Sequence, residues 1–225
     1  MPGKAWGAIA LEFLTFAALV FGAAGTFDWP QAWILLILFF GSSGFITFTI
    51  AQKDPALLAE RMKPPFQREQ PIWDRLTIGF FGLLFLAWLS LMGLDAQRFG
   101  WSVMPIWVNV LGAAGILLAY ALIYRVFREN TFLAPVVKLQ AERGHRVIDT
   151  GPYATVRHPM YAGAALLVLS MALLLGSWAG VAGSLVLAAG FGLRGLLEER
   201  MLMRTLDGYR DYAARVRYRL IPGIW

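Results

Sequence analysis

The sequence predicts an all-α fold: a polytopic helical membrane protein of about six spans, with a C-terminal helical hairpin and a polar C-terminal helix. Three observations predict it. Of the 225 residues, 58% are hydrophobic, above the ~45–50% of an ordinary soluble domain, and the mean hydropathy is +0.59. The apolar residues gather into runs close to the ~20 needed to cross a hydrocarbon core. The basic residues fall almost entirely on one side of those runs.

Six runs follow in order: Ala5–Ala24, Pro30–Ala51, Leu76–Leu94, Val103–Phe127, Met160–Gly176 and Trp178–Leu197. Each is read as a helix, because a single helix satisfies its own backbone in lipid. The first has no processing pattern and is read as a retained span. The last two are nearly continuous in hydropathy but together too long for one crossing, and Leu175-Gly176-Ser177-Trp178 between them reads as a tight turn. Between the second and third runs, Pro64-Pro65 and Pro71 interrupt helix. After the sixth, Glu198–Arg217 reads as a helix along the membrane surface. Trp29, Trp33, Trp73, Trp101 and Trp178 stand near span ends, as interfacial anchors do.

With six crossings and the N-terminus inside, Lys4, the loop 52–75, the loop 128–159 and the tail share one face. All but one of the 20 lysines and arginines then lie on that face, Arg98 being the exception. This bias places both termini on the cytoplasmic side of a prokaryotic membrane. A single crossing by Met160–Leu197 would put the arginine-rich tail outside, so charge supports the hairpin independently of length. The chain divides into residues 1–127, a scaffold of transmembrane helices on the lipid side, and 128–225, a catalytic region.

Composition excludes several chemistries. There is no cysteine, hence no disulfide, thiol nucleophile or thiolate metal site. His145 and His158 are the only histidines, which argues against a histidine-based metal centre, and no metal is expected. The net charge of +6 is explained by orientation and anionic head groups rather than by nucleic acid.

Chemistry-bearing residues concentrate in Gly151–Gly163, in Arg194–Glu199 and in the tail. Within Arg157-His158-Pro159-Met160-Tyr161-Ala162-Gly163, proline suits the first turn of a helix, whose free N–H groups favour an anion. Arg194 and Glu198, four residues apart, share a helix face. The hairpin brings them, with Glu199, beside Arg157 and His158, where arginine would meet the carboxylate of a zwitterion and glutamate its ammonium. An ion pair at a helix end is also a common structural feature. Glu12, an acid within the first span, is either functional or a protonated partner of a neighbouring helix.

His145-Arg146-Val147-Ile148-Asp149-Thr150-Gly151-Pro152-Tyr153, then Arg157 to Gly163, then Arg194 ahead of Glu198-Glu199 and Leu202, then Tyr209, Tyr212, Val216 and Pro222 occur in that order. In this the chain resembles the bacterial and archaeal isoprenylcysteine carboxyl methyltransferases, relatives of the phospholipid methyltransferases. The likeness covers roughly Gln140 to Pro222. It implies an S-adenosyl-L-methionine-dependent methyltransferase acting on a lipophilic acceptor that arrives from the bilayer. It further implies a cofactor pocket lined by Gln140, His145, Tyr153, His158, Tyr161, Gly163, Glu198 and Glu199, with Arg157, Arg194 and Glu198 at the reacting centre. A phospholipid N-methyltransferase is one alternative. Residues Val216–Pro222 are also similar to the end of NADPH-dependent sterol reductases, and a non-enzymatic membrane protein is the remaining class.

Overall fold

The computed structural model describes residues 2–225, with side chains from Trp6 onward. Lys4, counted above among the inner basic residues, therefore lies outside the described side chains. The chain folds into helices α1 (Pro2–Ala24), α2 (Pro30–Lys53), α3 (Pro55–Arg61), α4 (Ile72–Gly93), α5 (Ile106–Glu129), α6 (Pro159–Leu175), α7 (Trp178–Thr205) and α8 (Tyr209–Arg215). Local chemistry sets several of the starts. Proline opens α2, α3 and α6, where its missing N–H costs nothing. Asp54 caps α3 by accepting from Leu57 N at 2.9 Å, and Ser177 caps α7 by accepting from Gly180 N at 2.8 Å.

Among the described residues, five helices are long and apolar enough to cross a membrane, and α6 is a shorter apolar helix. Its 17 residues span about 25 Å, at the short end of what crosses a bilayer. The protein is thus a polytopic helical membrane protein. Helix α6 lies at the centre, packed on α5 and α7, while α1, α2 and α4 complete the bundle. The hairpin turn is present: Gly176 takes φ +79°, a left-handed conformation that only glycine adopts cheaply. Asn109 Nδ2 donates to the carbonyls of Leu173 and Leu174, each at 3.0 Å, satisfying groups that the end of α6 leaves free. At the same end, the buried Asp95 accepts from Ser102 Oγ at 2.7 Å and Ser177 Oγ at 2.5 Å.

Four expectations are corrected. Helix α7 does not stop at Leu197 but continues to Thr205, because Glu198–Thr205 holds no glycine or proline to break it. The surface helix expected over Glu198–Arg217 shrinks to the seven residues of α8 after a turn at Asp207-Gly208. Trp29 is not an interfacial anchor: its ring is buried at 1% exposure. A helix, α3, occupies the loop after α2, and the Asp54-Pro55 cap is its sequence signal. Glu12 is exposed on α1 and makes no side-chain hydrogen bond among the described residues.

Candidate functional site

The polar rim is assembled by backbone pairing between the tail and the segment leading into α6. Arg157 N donates to Tyr218 O and His158 N to Arg219 O, both at 2.9 Å. This short parallel pairing carries the tail past the mouth of α6, where Glu199 on α7 binds it. The Glu199 carboxylate, 4% exposed, accepts from Arg157 at 3.1 Å and Arg219 at 3.1 Å. Arg157 Nη1 also donates to the carbonyls of Ala213, Val216 and Arg217, the Val216 bond being 2.7 Å. Arg157 and Glu199 thus form a buried knot that fastens the tail to the hairpin. Arg157, expected at the reacting centre, borders the cavity with its guanidinium engaged by Glu199 and three main-chain carbonyls.

Above the knot lies a cavity of 370 Å³. His145, Tyr153, Arg157, His158, Tyr161, Arg194 and Glu198 line it, together with Arg61, Phe132, Met160, Phe191 and Tyr209. Gln140, Gly163 and Glu199, expected in the pocket, do not line it. Gln140 is fully buried and holds the preceding loop, donating to Phe132 O and accepting from Arg143 Nη1, both at 2.5 Å. Gly163 lets α6 approach α5: a Cβ there would stand 2.8 Å from Ile123 Cγ1. The lining also draws on Arg61, so the site extends beyond the region 128–225.

Among the described residues, Glu198 is the sole acidic side chain in the lining. Its Oε2 accepts from Tyr161 Oη at 2.6 Å. The Tyr161 ring stacks on Phe191 with centroids 6.3 Å apart, and the Arg194 guanidinium lies 5.7 Å from its centroid. Arg194 is fixed in turn from α4: its Nε donates to Asp74 Oδ1 at 2.8 Å and its Nη2 to Pro135 O at 3.1 Å. Asp74, fully buried, also accepts from Gln70 Nε2 at 2.7 Å and Val137 N at 2.9 Å. One carboxylate thus positions both Arg194 and the loop that forms the cavity wall. Lys138, on that loop, pairs with Glu60 at 2.6 Å and donates to Gln67 Oε1 at 2.9 Å. Burial opposes ionisation of Glu60, but Lys138 and Lys63 outweigh it and hold the carboxyl below its ordinary value.

On the opposite wall, the His145 ring stacks on Phe132 at 4.6 Å. Its Nδ1 accepts from Gln140 N at 3.3 Å, which places the proton of the neutral ring on Nε2. Burial lowers its pKa below the ordinary value, and the charge of Glu198 offsets this only in part. Tyr153 Oη accepts from Asn130 Nδ2 at 2.8 Å. Burial pushes up the phenols of Tyr153 and Tyr209, and Glu199 and Glu198 add to the shift at Tyr209. Of the buried polar atoms in the lining, Tyr209 Oη has no hydrogen-bond partner among the described residues, and His158 Nε2 has only the Glu199 carboxylate, 3.6 Å away. Unpaired groups of this kind are costly unless a ligand or water meets them.

Sequence reasoning missed Asp74, Arg61 and Asn130. Asp74 carried a usable signal, an acid at the edge of an apolar run. Tyr209 was placed in the tail motif without a role.

Residues 99–207 match the family model described as phospholipid methyltransferase. The matched stretch is a little under half of the chain. It contains α5, α6, α7 and most of the cavity wall, but not Arg61, Asp74, Tyr209 or the tail. No curated protein matches the chain. The match supports a membrane methyltransferase.

Proposed function

We propose that this protein transfers a methyl group from S-adenosyl-L-methionine to a lipophilic acceptor that reaches the cavity from the bilayer. The observation that carries this reading is the cavity itself. It opens at the polar ends of apolar helices, mostly within the matched stretch, and the Tyr209 hydroxyl in its lining has no partner among the described residues.

The lining fits the methyl donor. Its volume lies within the ~300–1,000 Å³ of small-molecule sites. Glu198 suits an ammonium, His158 Nε2 and Tyr209 Oη offer hydrogen bonds, and Phe132 and Phe191 supply flat apolar walls. The donor, when bound, supplies an already activated methyl group. What remains for the chain is to align the acceptor and exclude water. Tyr161, held by Glu198, Phe191 and Arg194, is a rigid wall for that purpose. Arg194, tied to Asp74 and Pro135, acts as a positioning residue. Glu198 takes the proton that an amine acceptor releases.

The match to phospholipid methyltransferases favours a head-group amine as acceptor. The motif from Arg157 to Gly163 supports a second reading, a lipid carboxylate, as in isoprenylcysteine carboxyl methyltransferases. Base treatment of the product separates them, since an ester is hydrolysed and an N-methyl group is not. The one-sided basic residues favour a cavity facing the cytoplasm. Calorimetric titration of the purified protein with S-adenosyl-L-methionine and with NADPH tests the reading. Binding of the first alone is expected. Binding of NADPH alone would indicate a reductase.

A further inference from the structure

A second cavity lies away from the site, between α2 and α5. It is a largely apolar groove of 400 Å³ lined by Gly41, Phe45, Leu117, Tyr120 and Tyr124 among others. Its walls are fixed. Ser43 and Tyr120 share a hydrogen bond of 2.8 Å, and Phe45 packs on Tyr124 at 5.5 Å between centroids. On α5, Leu117, Tyr120, Tyr124 and Phe127 follow at helical spacing, so they form one stripe. From Tyr120 to Phe127 the stripe rises about 10 Å toward the polar rim. At its upper end the Arg61 guanidinium stands 5.1 Å from the centroid of Phe127. Arg61 lines the first cavity and, over Phe127, stands beyond Tyr124, the last α5 residue of the groove lining. Among the described residues it donates no hydrogen bond and meets no carboxylate within ion-pair distance. Its neighbour Glu60 is taken by Lys63 and Lys138; Glu12 faces it without forming an ion pair.

An apolar groove with an exposed, unpaired, forked guanidinium about one helical turn beyond its end has the shape and charge of one ligand class: an acyl chain joined to a phosphate. We propose that the α2–α5 groove seats an acyl chain of a phospholipid, and that Arg61 binds its phosphodiester so that the head group enters the methyl-transfer cavity. This rests on the proposed function and assigns its acceptor site to Arg61 and α2, outside the matched stretch, together with one face of α5 inside it. The chain gives depth and orientation, and Arg61 selects phosphate-bearing lipids over neutral ones.

The test uses full-length protein in detergent, with lipid retention read by native mass spectrometry and without the methyl donor. Wild-type protein is expected to retain dioleoylphosphatidylethanolamine and to release dioleoylglycerol. Arg61→Gln is expected to weaken retention at least tenfold. Gly41→Phe should do the same by filling the groove, since position 41 has open space around an added Cβ. Leu83→Phe, on the exposed face of α4, should retain lipid as wild type does. Calorimetry should give Gly41→Phe the wild-type affinity for S-adenosyl-L-methionine, since position 41 lies in the groove and not in the lining of the first cavity. Equal retention of dioleoylglycerol, or undiminished retention by both Arg61→Gln and Gly41→Phe, would overturn the proposal. Displacement of the lipid by inorganic phosphate would show a bare phosphate site and would also overturn it. Retention as expected with no methyl transfer would leave the groove standing and sink the proposed function. Methyl transfer to lipid with an acceptor KM unchanged in Arg61→Gln would do the reverse.

Discussion

Arg194 on α7 donates through Nε to Asp74 on α4 across 2.8 Å, and Asp74 is fully buried. The same carboxylate accepts from Val137 N, so it fixes a side chain and a loop of the cavity wall together. Removing one partner of a buried pair strands the other charge, at about 3–5 kcal/mol. Asp74→Ala is therefore expected to lower the thermal midpoint in detergent markedly. It is also expected to weaken S-adenosyl-L-methionine binding at least tenfold, while far-UV circular dichroism still reports a helical protein. Asp74→Asn, which keeps an acceptor, should be milder on both measures.

The bond from Tyr161 to Glu198 is short and ends on a carboxylate, a type worth about 1.5–3 kcal/mol. Tyr161→Phe should lower kcat/KM by roughly ten- to a hundredfold, with the fold unchanged in melting experiments. Glu198→Gln should lower kcat more than it weakens donor binding if an amine is methylated, because the proton acceptor is lost. With a carboxylate acceptor that kcat effect should be absent.

The knot of Glu199, Arg157 and Arg219 leads to a different outcome. Glu199→Gln removes the negative charge that faces the guanidinium groups of Arg157 and Arg219, in a site that is 4% exposed. The expected result is a loosened tail: proteolysis after Arg215 or Arg217 should accelerate, while the transmembrane core stays folded. Because Arg157 binds carbonyls of the tail, Arg157→Met should give the same cleavage pattern.

His145 should titrate below 6.5 in the folded protein, since burial disfavours its charged form. Between the folded and unfolded pKa values the unfolded chain binds more protons, so stability rises with pH through that window. Above 6.5 the His145 contribution is fully present. It is lost as the pH falls from 6.5 through the folded pKa. Imidazole NMR signals, assigned by His145→Gln and His158→Gln, check this directly. The acid-side slope of stability should diminish in His145→Gln.

The sequence made the helices legible because apolar runs of membrane length have few other solutions. It also made the site's raw material legible, because Tyr153, His158, Tyr161 and Glu198 stand in short polar stretches between those runs. The partners were not legible. Asp74 and Arg194 are 120 residues apart, and nothing local in either segment names the other. The partners of Arg157 were hidden because a motif shows which groups are present, not which are already satisfied. Only the fold shows that tail carbonyls consume its donors. Gly163 shows the same limit: glycine permits close approach, but the sequence cannot say whether a ligand or Ile123 approaches.

The central claim is that the cavity bounded by His158, Tyr161, Glu198 and Tyr209 carries methyl groups to lipid. Purified protein incubated with methyl-tritiated S-adenosyl-L-methionine and phospholipid membranes tests it, with label counted in the organic extract. Wild-type protein is expected to place tritium in a lipid product, and Glu198→Ala to place little or none. Absence of lipid-borne tritium from folded wild-type protein, or full labelling by Glu198→Ala, would contradict the claim.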